Sequence, residues 1–184
     1  PRTIPLPSGA NKFKIRTAIT GHGQEGEFLS QTHWMNLNGG SPEYVWDVWK
    51  TCGENPVYPS GGTWVYDRAG WCPGMATDTK EMPLDNFVNP GDTVTFDYGL
   101  NTASGDSRYW VSNQLVSYGT PNFTLDAAVT DVLNPSLKVE YARTNAICAN
   151  PKVIIQNTGA TTLTSATIEY WVNNNPVHQT FAWT

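Results

Sequence analysis

Apolar and polar residues alternate one by one along most of this chain, and a period of two confines it to β-strands whose alternate side chains face a common core. Phe13, Ile15, Thr17 and Ile19 are interleaved with Lys14, Arg16 and Ala18. Val94, Phe96 and Tyr98 are interleaved with Thr93, Thr95 and Asp97, directly after the turn sequence Asn89-Pro90-Gly91-Asp92. A further strand is expected from Tyr109 to Tyr118, with shorter ones at Tyr44–Trp49 and Thr63–Tyr66. Helical periodicity is almost absent, and 16 Gly and 13 Pro supply the turns an all-β chain needs. Aromatic residues at 12% argue against disorder, which goes with few aromatics and high net charge. No heptad pattern supports a coiled coil, and no apolar run approaches the roughly 18 residues of a membrane span. A net charge of −5 argues against nucleic acid or an anionic membrane as a partner.

Composition shifts near Gly119-Thr120-Pro121-Asn122, so two units are expected, at 1–121 and 122–184. In the second, alternation runs through Phe123, Leu125, Ala127 and Val129, then Leu137, Val139 and Tyr141, then Val153 and Ile155, then Ile168, Tyr170 and Val172. The turn Asn157-Thr158-Gly159-Ala160 separates two of these runs. Strands and turns at this spacing read as an immunoglobulin-like sandwich, which takes about 100 residues. This tail is shorter, so an incomplete module is expected. The start at Pro1-Arg2-Thr3, and an end within the strand-like run Val177–Trp183, read as cuts from a longer or processed protein.

Between Asn38 and Pro83 lies a long Gly/Pro/Trp-rich stretch, and such loops are usually functional or stapled. Cys52 and Cys72 fall within it, and a disulfide between them is expected to close the loop. A metal pair is the alternative, although C-x-x-C spacing and a nearby His pair are both lacking. A disulfide implies an oxidising setting, hence a protein that is secreted or held at the bacterial surface or in the periplasm. Cys148 is then free or paired with a residue outside the chain.

Three groups of residues are candidates for chemistry. Glu25 and Glu27, if extended, share a face, and two carboxylates so placed repel and suit acid–base work. The alternative is a solvated acidic loop tip. His22 and His33, with Met35 and Met75, are conceivable copper ligands, against which stand their loose spacing and the usual structural role of lone histidines. Arg68 can fork onto carboxylate or sugar oxygens, and Trp71 offers a flat face to a pyranose. The competing account is an Asp67–Arg68 pair stiffening the loop, with Trp71 packed on the disulfide. Phosphate-binding loops, dinucleotide fingerprints, the G-x-S-x-G elbow and H-E-x-x-H are all absent. Asn122-Phe123-Thr124 fits the glycosylation acceptor pattern, a triplet common by chance.

From about Phe13 to Tyr118 the sequence resembles the second jelly-roll domain of the peptide-N-glycosidase F family, secreted bacterial amidases that remove N-glycans from asparagine. The segment Tyr66-Asp67-Arg68-Ala69-Gly70-Trp71-Cys72-Pro73-Gly74-Met75-Ala76 carries most of the likeness. Arg16–Gly23 and Glu27–His33 continue it. The resemblance implies an antiparallel jelly-roll β-sandwich, followed here by the incomplete immunoglobulin-like sandwich. It places Glu27 on the family's second-domain active-site glutamate, and Arg68 and Trp71 in the loop around the chitobiose core. His22 and Glu25 fall beside them as substrate contacts, and Cys52 and Cys72 fall on a disulfide-forming pair. The implied partner is an N-glycan or glycopeptide, with no cofactor and no metal. The family's principal catalytic aspartate lies on a first jelly roll to which nothing here corresponds. Glu25 and Leu29 occupy the positions of a small flanking disulfide, and His22 replaces an aromatic in the Gly-x-Gly turn. A non-catalytic glycan- or protein-binding module on the same scaffold is the alternative. A copper-dependent monooxygenase relative is a weaker one, since those enzymes share the fold.

Overall fold

A computed structural model describes residues 1–53, 63–103, 105–138, 141 and 150–184. The chain is all-β and antiparallel, and the described residues cluster into two compact units, one built on Pro1–Thr120 and the other on Pro121–Pro135 and Asn150–Thr184. No helix among the described residues is long and apolar enough to cross a membrane.

The first unit is a two-layer sandwich. One sheet is formed by β1 (Arg2–Pro5), β3 (Gln31–Leu37), β4 (Tyr44–Val48) and β6 (Thr93–Leu100), in the order β1-β6-β3-β4. The other has β5 (Thr79–Pro83), β2 (Lys12–His22) and β7 (Arg108–Tyr118), with β2 at its centre. The alternation read from the sequence is the alternation of burial: Phe13, Ile15, Thr17 and Ile19 are buried, and Lys12 and Arg16 are exposed. Met35 and Leu37 from β3, and Val94 and Phe96 from β6, meet Phe13, Ile15 and Met82 across the interlayer space. The apolar area removed from water there is the main stabilising term of this unit.

Strand β2 sets the register of the site. It pairs along its full length with β7, from Lys12↔Tyr118 to His22↔Arg108. That pairing carries Gly21 and His22 to one end of the sandwich, beside Tyr109 and Trp110. The same end receives α1 (Gln24–Phe28) and the Cys52–Cys72 loop.

Several expected strands differ from what forms. Thr63–Tyr66 is a turn closed by Tyr66 N–H donating to Thr63 O at 3.0 Å. Leu137 and Tyr141 lie outside any strand, and Val139 and Cys148 fall outside the described residues. In the second unit β8 (Ala127–Asn134) pairs with β9 (Lys152–Asn157), and β10 (Ala166–Tyr170) pairs with β11 (Gln179–Trp183). The Asn157–Ala160 turn forms as read, its Gly159 N–H donating to Asn157 Oδ1 at 3.0 Å and to Asp126 O at 3.1 Å.

Candidate functional site

Glu27 sits in a single helical turn that the residues themselves do not favour. Helix α1 has Gly23 at its N-cap, in a φ of 79° that supplies no side-chain cap. The cap comes from far along the chain instead. Gln24 N–H donates to Asp106 Oδ2 at 2.9 Å and Glu25 N–H to Asp106 Oδ1 at 3.2 Å, satisfying two of the helix's orphan donors. These backbone bonds hold the Asp106 carboxyl below the usual carboxylate range.

The helix separates two residues expected on one face. At about 100° per residue, positions two apart project in widely different directions, whereas an extended chain would align them. The Glu25 carboxylate lies against Gly105, where an added Cβ would come within 2.3 Å of it. Glu27 Oε1 instead accepts a hydrogen bond from Arg68 Nε at 2.6 Å, with 20% of the glutamate side chain left exposed. The helix thus sets the two carboxylates against different neighbours.

Arg68 is buried, with 3% of its surface accessible, and its donors are committed within the protein. Nε goes to Glu27, Nη1 to Trp64 O at 3.5 Å and Tyr66 O at 3.2 Å, and Nη2 to Thr63 O at 2.7 Å and Thr63 Oγ1 at 2.9 Å. A guanidinium has five N–H groups, and five contacts take them up. The guanidinium carbon also lies 5.2 Å from the ring centroids of both Phe28 and Trp71, between two aromatic faces. Arg68 was expected to reach substrate; in this geometry it braces Glu27 and the loop. No Asp67–Arg68 pair is present among these contacts, and Asp67 Oδ1 accepts from Cys52 N–H at 2.9 Å.

The loop carrying Arg68 is fastened on several sides. Cys52 and Cys72 form a disulfide, with Cα atoms 5.5 Å apart and both residues buried. Lys50 and Arg68 exchange backbone hydrogen bonds at 2.8 and 3.1 Å. Gly21 N–H donates to Ala69 O at 2.9 Å, Ala69 N–H to Glu27 O at 2.9 Å, and Trp71 Nε1–H to Gly21 O at 3.0 Å. Gly70, at a φ of 77°, passes so close to β2 that a Cβ would stand 2.0 Å from Ile19 O.

Trp71 continues into a row of rings. Its centroid is 5.8 Å from that of His22 in a stacked arrangement, and His22 lies 5.0 Å from Trp110. Thr20 Oγ1 and His22 Nε2 are hydrogen-bonded at 2.8 Å, which fixes the imidazole in the row. On the other side of Arg68, Gln24, Phe28, Trp49, Val65 and Tyr66 line an open cleft of about 500 Å³. Phe28, Asp106 and Trp110 were not singled out from the sequence. An outward Trp at alternate spacing from inward Tyr109 is the signal that marks Trp110.

The conceivable copper ligands are not gathered. His22 is on β2 and His33 on β3, in different sheets. His33 is fully buried, its Nδ1 paired with Tyr98 Oη at 2.6 Å, and burial lowers its pKa to about 4. Burial likewise pushes Tyr98 up to about 12. Met35 is in the core, and Met75 lies in the turn where its N–H donates to Cys72 O. Among the described residues no three His, Cys, Asp or Glu side chains cluster as a metal site would require.

Fold and site together define an antiparallel β-sandwich that holds a carboxylate at one end, on a short helix, against an arginine in a disulfide-closed loop. A family profile described as peptide-N-glycosidase F, C terminal, matches residues 1–116, and the chain belongs to that family. It is 30% identical over 132 residues to the peptide-N(4)-(N-acetyl-beta-D-glucosaminyl)asparagine amidase F of Elizabethkingia miricola, covering 63% of this chain and 37% of that protein. The solved structure of PNGase F, a glycosylasparaginase from Flavobacterium meningosepticum, superposes with a TM-score of 0.58 at 30% identity, over 64% of this chain and 42% of that one. A 2.2 Å crystal structure of a peptide-N(4)-(N-acetyl-beta-D-glucosaminyl)asparagine amidase gives the same TM-score of 0.58 and identity of 30%. The chain thus spans well under half the length of these relatives.

Proposed function

We propose that this chain is the second, glycan-facing part of a peptide-N-glycosidase-like amidase that hydrolyses the glycosyl-asparagine amide of N-glycoproteins. The observation that carries the reading is the 2.6 Å Glu27–Arg68 ion pair, a partly exposed carboxylate held in one orientation by a buried cation. In this reading residues 1–121 bear the site, and 122–184 form an immunoglobulin-like module in a linking or presenting role. The principal catalyst is an aspartate on a preceding jelly roll, which takes a proton from water as the oxygen attacks the side-chain amide carbon. The carbon–nitrogen bond breaks, the proton passes to the departing nitrogen, and the products are an aspartyl peptide and a glycosylamine. Glu27 accepts hydrogen bonds from the attacking water and the first glucosamine, Trp71 offers its face to that sugar, and Arg68 acts through Glu27. His22 and Glu25 flank the sugar. Carboxylates carry the hydrolysis, with neither metal nor organic cofactor in the reaction. The disulfide fits a protein exported from a bacterial cell or held at its surface.

The test is deglycosylation of a denatured N-glycopeptide by the complete polypeptide that carries this chain, read by mass spectrometry as conversion of asparagine to aspartate. Glu27→Gln is expected to abolish conversion with the fold retained; undiminished turnover would remove Glu27 from the site. Conversion by these 184 residues alone would overturn the assignment of the catalyst to another domain. A second reading, a module that binds glycans without cleaving them, is favoured by the commitment of every Arg68 donor within the protein. Glycan binding by the complete polypeptide without conversion would select it.

A further inference from the structure

We infer that the connection between β6 and β7 sets where Glu27 stands, and that Asp106 is the positioning residue through which it does so. The inference rests on the amidase reading for what Glu27 then does, and on this chain's own geometry for the rest.

One helical turn does not hold itself, because it fixes several dihedrals for a single hydrogen bond. In α1 that bond runs from Glu27 N–H to Gly23 O at 2.8 Å. Gly23 contributes no capping side chain, so local forces alone leave Gln24–Phe28 without a reason to coil. An extended course would put Glu27 on one face with Glu25 and take its Oε1 away from Arg68 Nε. Whatever keeps the turn coiled therefore keeps the glutamate on the arginine.

That support is bidentate. Each oxygen of the Asp106 carboxylate takes one N–H, Oδ2 from Gln24 and Oδ1 from Glu25. The same two donors hold the carboxyl below its usual range, so it is ionised at neutral pH, and bonds to an ionised acceptor are roughly twice as strong as neutral ones. Around the carboxylate the two backbones are in contact. A Cβ on Gly23 would stand 2.2 Å from Asp106 O, one on Gly26 2.8 Å from Arg108 N, and one on Gly105 2.3 Å from Glu25 Cδ. On its other side the turn is tied by Ala69 N–H, which donates to Glu27 O at 2.9 Å. Glu27 is thus suspended between two loops. Only on the Asp106 side is the tie made by a side chain, so a single substitution can release it. Asp106 is exposed and takes no part in the hydrophobic core, which leaves the sandwich intact when it is replaced.

The variants are Asp106→Ala and Asp106→Asn, the second keeping one acceptor oxygen. In the 184-residue chain the Gln24 and Glu25 amides report the cap, and the Arg68 Nε–H resonance reports the glutamate–arginine pair. In Asp106→Ala both amides are expected to exchange about tenfold faster, and the Arg68 signal to shift, with amides of β2 and β3 unchanged. In the complete polypeptide kcat should fall about 100-fold with KM within twofold, and Asp106→Asn should recover about tenfold of that loss. A purely structural role would lower the melting temperature and leave kcat of the folded protein at the parent's value. Amide protection and an Arg68 signal unmoved in Asp106→Ala would overturn the positioning role, and so would a kcat within twofold of the parent's. If the spectral changes occur but the unsubstituted polypeptide converts no asparagine, the amidase reading falls alone, and Asp106 still places Glu27.

Discussion

Arg68 concentrates more of the site in one side chain than any other residue. It joins Glu27 of α1 to three carbonyls and a hydroxyl of its own loop, and it is sandwiched between Phe28 and Trp71. Lysine would keep the charge but cannot reproduce a planar fork with five donors. Arg68→Lys is expected to cost about 2–4 kcal/mol of stability, because buried carbonyls and a carboxylate lose their partners. A denaturant midpoint unchanged within error would remove Arg68 as the brace. His33 allows a pH prediction of definite sign. Its folded pKa, about 4, lies below the 6.5 of an exposed histidine, because burial disfavours the imidazolium. Protonation therefore favours the unfolded chain, and stability falls as pH drops from 6.5 towards 4, by roughly 3 kcal/mol in total, and then levels for this group. Thermal melts across that range should lose this slope in His33→Leu, whatever the variant's absolute stability; an identical slope would acquit His33. At this scale the Cys52–Cys72 bridge was legible in the sequence, and Glu27 and Trp71 stood out there as candidates. The partner of Arg68 was hidden, because an arginine's choice between substrate and protein depends on how deeply the fold buries it.

The strands of the first unit were legible where β2 and β6 bury alternate residues, because burial on one face writes itself as alternation. Helix α1 was not legible, and the reason is physical. Five residues are far below the length at which local propensity sustains a helix, and two of its N–H groups depend on Asp106, more than 80 residues away in sequence. Reading Glu25 and Glu27 as an extended pair followed from local spacing alone. The Cys52–Cys72 loop is the other element whose conformation is imposed rather than intrinsic. Closing a loop of this length restricts the unfolded chain by about 3 kcal/mol, so reduction should lower the melting temperature by several degrees. It should also expose the Arg68 loop to limited proteolysis before the sandwich. A melt unaffected by reductant, or ready thiol labelling of Cys52 and Cys72 in the unreduced protein, would refute that role.

Across the whole molecule burial is distributed unevenly. Every fully buried apolar side chain among the described residues lies between Leu6 and Phe96, whereas Phe123, Leu125, Val129, Trp171 and Phe181 of the second unit are exposed. Local opening needs less free energy where little apolar surface is lost on closing. Amides of β2, β3 and β6 should therefore exchange slowest with solvent, and those of β8 to β11 faster by several orders of magnitude. Comparable protection in β9 or β10 would contradict that ranking. The shift in composition near Gly119 hinted at this difference, but the weak alternation beyond it overstated the strands, since Phe123, Leu125 and Leu137 follow the pattern without joining a ladder. The Gly21–Ala69 bond at the end of β2 bears on how such a protein tolerates change. Gly21, Gly26 and Ala69 meet with almost no side chain between them: a Cβ on Gly21 would lie 1.9 Å from Gly26 O and 2.6 Å from the Ala69 methyl. The approach of the glutamate's helix and the arginine's loop to the end of β2 is thus set at Gly21 by a hydrogen atom where other residues carry carbon. In a random library the mildest replacement on paper, glycine to alanine, would displace Glu27 further than many changes of charge, so mutational tolerance here runs opposite to chemical similarity.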